Sequence, residues 1–198
     1  GSLQAALELA RRRTDATTPV LSDDVASALS PLPFAFSFFG TPVTHYAVSS
    51  NGFLQVFPTA MGTSSSSAAN SPIPTVSTPN GLIAPFWDDL NVMGTSSRVV
   101  SNVFGTGTTR HLTVQWEQMM VFGVAGSSIT VQARLYETTN VIELHACSLT
   151  PGTNMSDMDR ERGLEATVGV ESVDGLDGVQ HSHNQANVTA GQVIRYTP

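Results

Sequence analysis

The strongest constraint on this chain is a period of two. Ile129, Val131, Ala133 and Leu135 alternate with Thr130, Gln132, Arg134 and Tyr136, and Leu112, Val114 and Trp116 alternate with Thr113, Gln115 and Glu117. Phe34, Phe36 and Phe38 fall on one side of a third run and Ala35, Ser37 and Phe39 on the other. Such alternation fits half-buried antiparallel strands and does not fit a helix. Further apolar runs predict strands at Tyr46–Ser49, Phe53–Phe57, Leu82–Trp87, Arg98–Val103, Val141–His145, Ala166–Glu171 and Val193–Tyr196. Asn51-Gly52 between two of them is a short-hairpin signal. The expected fold is all-β, an antiparallel β-sandwich of jelly-roll type.

One segment breaks the pattern. Leu3, Ala6, Leu7 and Ala10 recur at helical spacing and lead into Arg11, Arg12 and Arg13, which suit a helix C-terminus. A short N-terminal helix with its linker is therefore expected over residues 1–18, docked outside a domain spanning 19–198. The narrow apolar stripe is too small to belong to the core.

With 198 residues, a single domain can bury roughly two-thirds of its unfolded surface without staples. The formal charge is −7 and all nine basic residues are arginine, which argues against nucleic acid as a partner. Ser and Thr make up roughly a fifth of the chain, as in many secreted β-proteins. One cysteine, Cys147, excludes an intrachain disulfide, and no apolar run reaches the ~18 residues of a membrane span. No signal-peptide pattern opens the chain.

Two long loops interrupt the strands. Thr59 to Pro79 carries four consecutive serines and three prolines, and Thr150 to Glu161 is polar and charged. Loops of this length are usually functional or mobile.

The most specific motif is Leu82-Ile83-Ala84-Pro85-Phe86-Trp87-Asp88-Asp89-Leu90, an apolar strand that runs into two carboxylates. Asp88 and Asp89, with Asn91 beyond and Asp23-Asp24 elsewhere, can supply oxygens to a Ca²⁺ ion; equally, one aspartate can cap a turn while the other is solvated. Val173-Asp174-Gly175-Leu176-Asp177-Gly178 pairs aspartates with turn glycines but lacks EF-hand spacing. His181 and His183 would share a strand face and could bind zinc, or else stand solvated in a loop. Trp87 and Trp116 read either as a sugar-stacking platform or as core. Asn154 and Asn187 head glycosylation sequons. No Gly-x-Ser-x-Gly elbow is present, and Cys147 has only His145 as a local neighbour, so no catalytic residues are assigned.

The strand segments, in order, resemble the nidogen-type extracellular domain (the NIDO module). The resemblance rests on Leu21-Ser22-Asp23-Asp24, the run Leu32 to Gly40, Val48-Ser49-Ser50-Asn51-Gly52-Phe53-Leu54, Ile83 to Asp89, Thr113 to Trp116, Val131 to Glu137 and Ala166 to Glu171, and covers roughly Val20 to Pro198. It implies a non-catalytic extracellular β-module of the kind found in adhesion and matrix proteins, in plexin-domain proteins and beside secreted proteases. Two functions are then expected. One is a secreted or surface module for adhesion, binding or assembly. Its partner would be a protein or glycan at surface loops, or another copy through edge strands or the N-terminal helix. The other is an accessory domain of a secreted hydrolase whose catalytic part lies outside this chain. No cofactor is expected beyond calcium at Asp88 and Asp89.

Overall fold

The computed structural model of the chain describes residues 17–20, 22–92 and 96–198. The N-terminal helix expected over Leu3–Arg13 lies outside the described residues.

Among the described residues, thirteen strands form two antiparallel sheets. The first sheet holds β1 (Thr17–Val20), β7 (Arg98–Phe104), β8 (His111–Val121), β9 (Ser128–Tyr136), β10 (Ile142–Thr150) and β13 (Val193–Tyr196) in that order, with β6 (Leu90–Asn91) pairing the far end of β8. The second runs β12 (Gly178–His183), β11 (Thr167–Glu171), β5 (Leu82–Trp87), β4 (Leu54–Phe57), β3 (Thr41–Val48) and β2 (Ser30–Phe38). One buried cluster joins Phe36, Val43, Leu54, Ile83 and Phe86 from the second sheet with Val114, Trp116, Val131 and Leu144 from the first. The two sheets therefore face each other as a sandwich.

The connectivity departs from a jelly roll. β2 to β5 form one meander and β7 to β10 another, so most neighbours in sequence are neighbours in a sheet. A jelly roll instead wraps its chain as two Greek keys. Short turns favour the local pairing, as at Asn51-Gly52 and at Glu137–Asn140, where Asn140 N–H closes on Tyr136 O (3.1 Å). β1, from Thr17 to Val20, pairs with β7 and is part of the first sheet.

The alternation places the core well. Phe36, Phe38, Phe53, Ile83, Phe86, Trp116, Val131 and Leu135 are all buried. Phe34 is half-buried and packs on the core with the Arg110 guanidinium 5.7 Å from its ring centre.

The serine-rich loop from residue 58 to 80 is a strap laid over the outer face of the second sheet. Side chains of that sheet and its turns pin it. Trp87 indole N–H donates to Ser67 O (2.9 Å), Ser65 N–H to Gln55 Oε1 (2.8 Å), Ile73 N–H to Gln180 Oε1 (2.9 Å) and Thr75 N–H to Glu171 Oε1 (2.5 Å). Thr167 Oγ1 donates to Ser71 O (2.8 Å). On that outward side Phe53, Leu82, Ala84 and Trp87 form a second buried cluster. All six residues of β5 are consequently buried on both faces.

Candidate functional site

Asn51, fully buried, organises the region where β5 ends. Its Oδ1 accepts Leu90 N–H (3.0 Å), while its Nδ2 donates to Asp24 Oδ1 (2.9 Å) and to Ser66 O (2.8 Å). Sequence reasoning gave Asn51 only a turn role. Nothing in a dipeptide signal reveals that its side chain ties three separate segments together. Gly52 is required there: φ is +76°, and a Cβ would lie 1.7 Å from Phe86 O.

The structure separates the two aspartates that the sequence paired. Asp88 is buried; its Oδ1 accepts Asp89 N–H (2.8 Å) and its Oδ2 is buried without a partner. Burial pushes its carboxyl up to about 7, against the opposing hydrogen bond from Asp89 N–H and the charge of Arg160. Asp89 is half-exposed and also raised, first by burial and then by the charges of Asp24 and Asp23. Asp88 is thus the turn cap and Asp89 the outward carboxylate. Asn91 Oδ1 is buried with no partner among the described residues. Among the described residues no three His, Cys, Asp or Glu side chains gather to hold a metal ion. Any calcium at Asp88 and Asp89 would therefore draw most of its oxygens from amides, carbonyls or water.

The remaining candidates are placed apart from one another. Cys147 is buried and burial pushes its thiol up to about 11; its Sγ faces His145 O (3.9 Å). His145 is also buried and lowered, first by burial and then by the charge of Arg134. Its Nε2 lies 3.0 Å from Glu143 Oε2, which also accepts Tyr136 O–H (2.9 Å), and Arg195 reaches Glu143 Oε1 (2.8 Å). His181 and His183 lie in strand β12, not a loop, yet they do not converge. His183 Nδ1 meets Thr167 Oγ1 (2.8 Å) and His181 Nε2 meets Gln192 Nε2 (3.2 Å), with a bulge between their pairing positions. Asp174 Oδ1 accepts Ser172 O–H (2.6 Å) and Leu176 N–H (3.1 Å), so it closes the β11–β12 turn. Trp87 and Trp116 are buried, and Trp116 indole N–H donates to Ser49 O (2.7 Å). They belong to the core and offer no sugar platform. Asn154 and Asn187 are exposed.

A cleft of about 700 Å³ opens between the sheets at the opposite end, lined chiefly by Phe38, Phe39, Ile142, Val170, Val179 and Tyr196. The sequence gave no sign of it, because these residues are strand positions indistinguishable from core.

The fold is an antiparallel β-sandwich in which many polar side chains are spent on turns, the strap and strand pairs. The family comparison agrees: a profile described as NIDO related matches residues 6–198, and the chain belongs to that family, whose domains are typically extracellular. No curated protein and no solved structure matches the chain. No helix among the described residues is long and apolar enough to cross a membrane.

Proposed function

We propose that this domain is a non-enzymatic module acting outside the cell by surface contact, in adhesion, binding or assembly. The observation that carries this reading is the fate of the chain's one thiol. Cys147 and its neighbour His145 sit buried in β10, the thiol raised to about 11 and the imidazole lowered. A nucleophile needs a populated thiolate and an accessible base, and this pair supplies neither. Large apolar side chains are exposed instead on turns and loops, at Met61, Val76, Phe122, Met155 and Leu176. Loops held on a rigid sandwich are where recognition is usually carried.

The test is a pair of measurements on the purified chain. Peptide, ester and glycoside panels should show no turnover above buffer, while glycan and protein arrays or a mass measurement should show binding or assembly. Turnover abolished by Cys147→Ser or His145→Gln would overturn the reading.

A further inference from the structure

At the end of the sandwich where β5, β8 and β10 finish, the loop from Pro151 to Glu165 folds onto the β8–β9 turn. Thr153 N–H donates to Ala125 O (2.9 Å), and Phe122 N–H donates to Asp89 O (2.8 Å), which joins this turn to the end of β5. The resulting surface leaves Phe122 54%, Met155 87%, Met158 56% and Leu164 42% exposed. The loop also bears Asp157, Asp159 and Glu165, with Asp89 at the end of β5 and Asp23 and Asp24 before β2, all exposed or half-exposed; Asp88 and Glu161 are buried. Only Arg160 and Arg162 stand among them, and both are engaged, with Glu165 and Asp159 respectively.

The complementary chemistry occurs once in this sequence. Leu3, Ala6, Leu7 and Ala10 precede Arg11-Arg12-Arg13, an apolar stripe followed by a third of the chain's nine arginines. β1 runs antiparallel to β7, with Val20 opposite Val99 and Thr17 opposite Ser101. β7 starts at the acidic end, so Thr17 lies on the side of β1 away from it.

We infer that the acidic end receives segment Leu3–Arg13 of a second copy. Flexible methionines and Phe122 suit an apolar stripe of small and branched residues, and the surrounding carboxylates suit three guanidiniums. Donor and receiver are different parts of the chain, so the contact is heterologous and repeats head to tail into open chains of copies. This inference deepens the contact reading above and rests on it.

Sedimentation velocity on the full chain tests it. Mass should rise with concentration at low salt, and the association should weaken about tenfold or more by 0.3 M salt, because the charges are exposed and screened. Combined Arg11→Glu, Arg12→Glu and Arg13→Glu should leave a monomer, as should Phe122→Lys with Met158→Lys. A mixture of those two variants, each retaining one good surface, should give a discrete dimer. Unchanged thermal melts would show that both variants remain folded. A parent chain that stays monomeric at low salt, or assembly that survives either variant, overturns the inference. Compaction of single chains without a rise in mass also overturns it, because the segment would then dock on its own copy. A monomer that still binds a glycan or protein defeats this inference and leaves the contact reading intact; turnover in the hydrolysis panels defeats the reading itself.

Discussion

The two outer faces of the sandwich are finished in opposite ways. On the second sheet, the face is apolar at Phe53, Leu82, Ala84 and Trp87, and a strap of some twenty residues covers it. On the first sheet the outward row is polar, and much of it is hydrogen-bonded along and across strands. Gln132 Nε2 donates to Gln115 Oε1 (2.6 Å), Arg134 donates to Gln132 Oε1 (2.8 and 3.0 Å), and Glu143 gathers Tyr136, His145 and Arg195. One face is held by burial of carbon under a loop, the other by hydrogen bonds between neighbouring strands. The acids on them respond accordingly. Burial lifts Glu171, under the strap, to about 7, because it has only Thr75 N–H as a partner. Burial also pushes Glu143 up, but hydrogen bonds from His145 and Tyr136 and the charge of Arg195 outweigh it, leaving it below its ordinary range.

The comparison breaks most easily at Trp87. Trp87→Ala should cost about 3–5 kcal/mol, the usual range for an emptied aromatic core site, and it also removes the donor that holds Ser67 O. Denaturant melts measure the loss, and limited proteolysis should begin to cut within residues 59–79. A cost under about 1 kcal/mol would mean that the strap-covered face is not core.

The next effect is one of sign. Glu171 has a raised folded pKa, so the native state holds its proton more tightly, and stability declines as pH rises from the ordinary carboxylate value towards 7. Asp88 contributes in the same direction. Glu143, lowered, works oppositely: its contribution is present above the ordinary carboxylate value and is lost as pH falls through its folded value. Melting temperature against pH should therefore lose part of its decline between the ordinary carboxylate value and 7 in Glu171→Gln, Asp88 keeping the rest, and part of its acid decline in Glu143→Gln. Parallel profiles for the two variants would erase the distinction between the faces.

The smallest effect belongs to the strap's tip. Met61 is 90% exposed, so Met61→Ser should change stability by no more than about 0.5 kcal/mol. A larger loss would show that the tip takes part in covering the sheet.

The strap also marks the limit of what the sequence made legible. Alternation and apolar runs located ten of the strands and nearly all of the core, because such patterns are local properties. The strap was invisible for the opposite reason. Its anchors, Gln55, Trp87, Thr167, Glu171 and Gln180, lie up to about a hundred residues from the atoms that they hold. Serine-rich composition says only that a segment is polar. β12 was hidden because Gly178 and two histidines blur its pattern, and β1 because it follows a helix-like run. At Asp88 and Asp89 the motif was legible but the division of labour was not: burial differs between adjacent residues only once Asn51 and Arg160 are in place.

The order of strands carries a kinetic consequence. Within each meander most partners are joined by short turns and find each other quickly, β4 and β5 being the pair that the strap separates. β11 pairs with β5 through Gly169 opposite Ala84 and Val170 opposite Ile83, contacts more than eighty residues apart. Closing so long a loop costs entropy that must be met before the contact returns anything, and such non-local pairings set the pace of folding in β proteins. The meander β2–β5 therefore waits with its β5 edge unpaired until β11 arrives, and the strap, whose anchors sit on both, can settle only afterwards. A chain emerging from a ribosome or an export channel would expose that edge until it was free as far as Glu171.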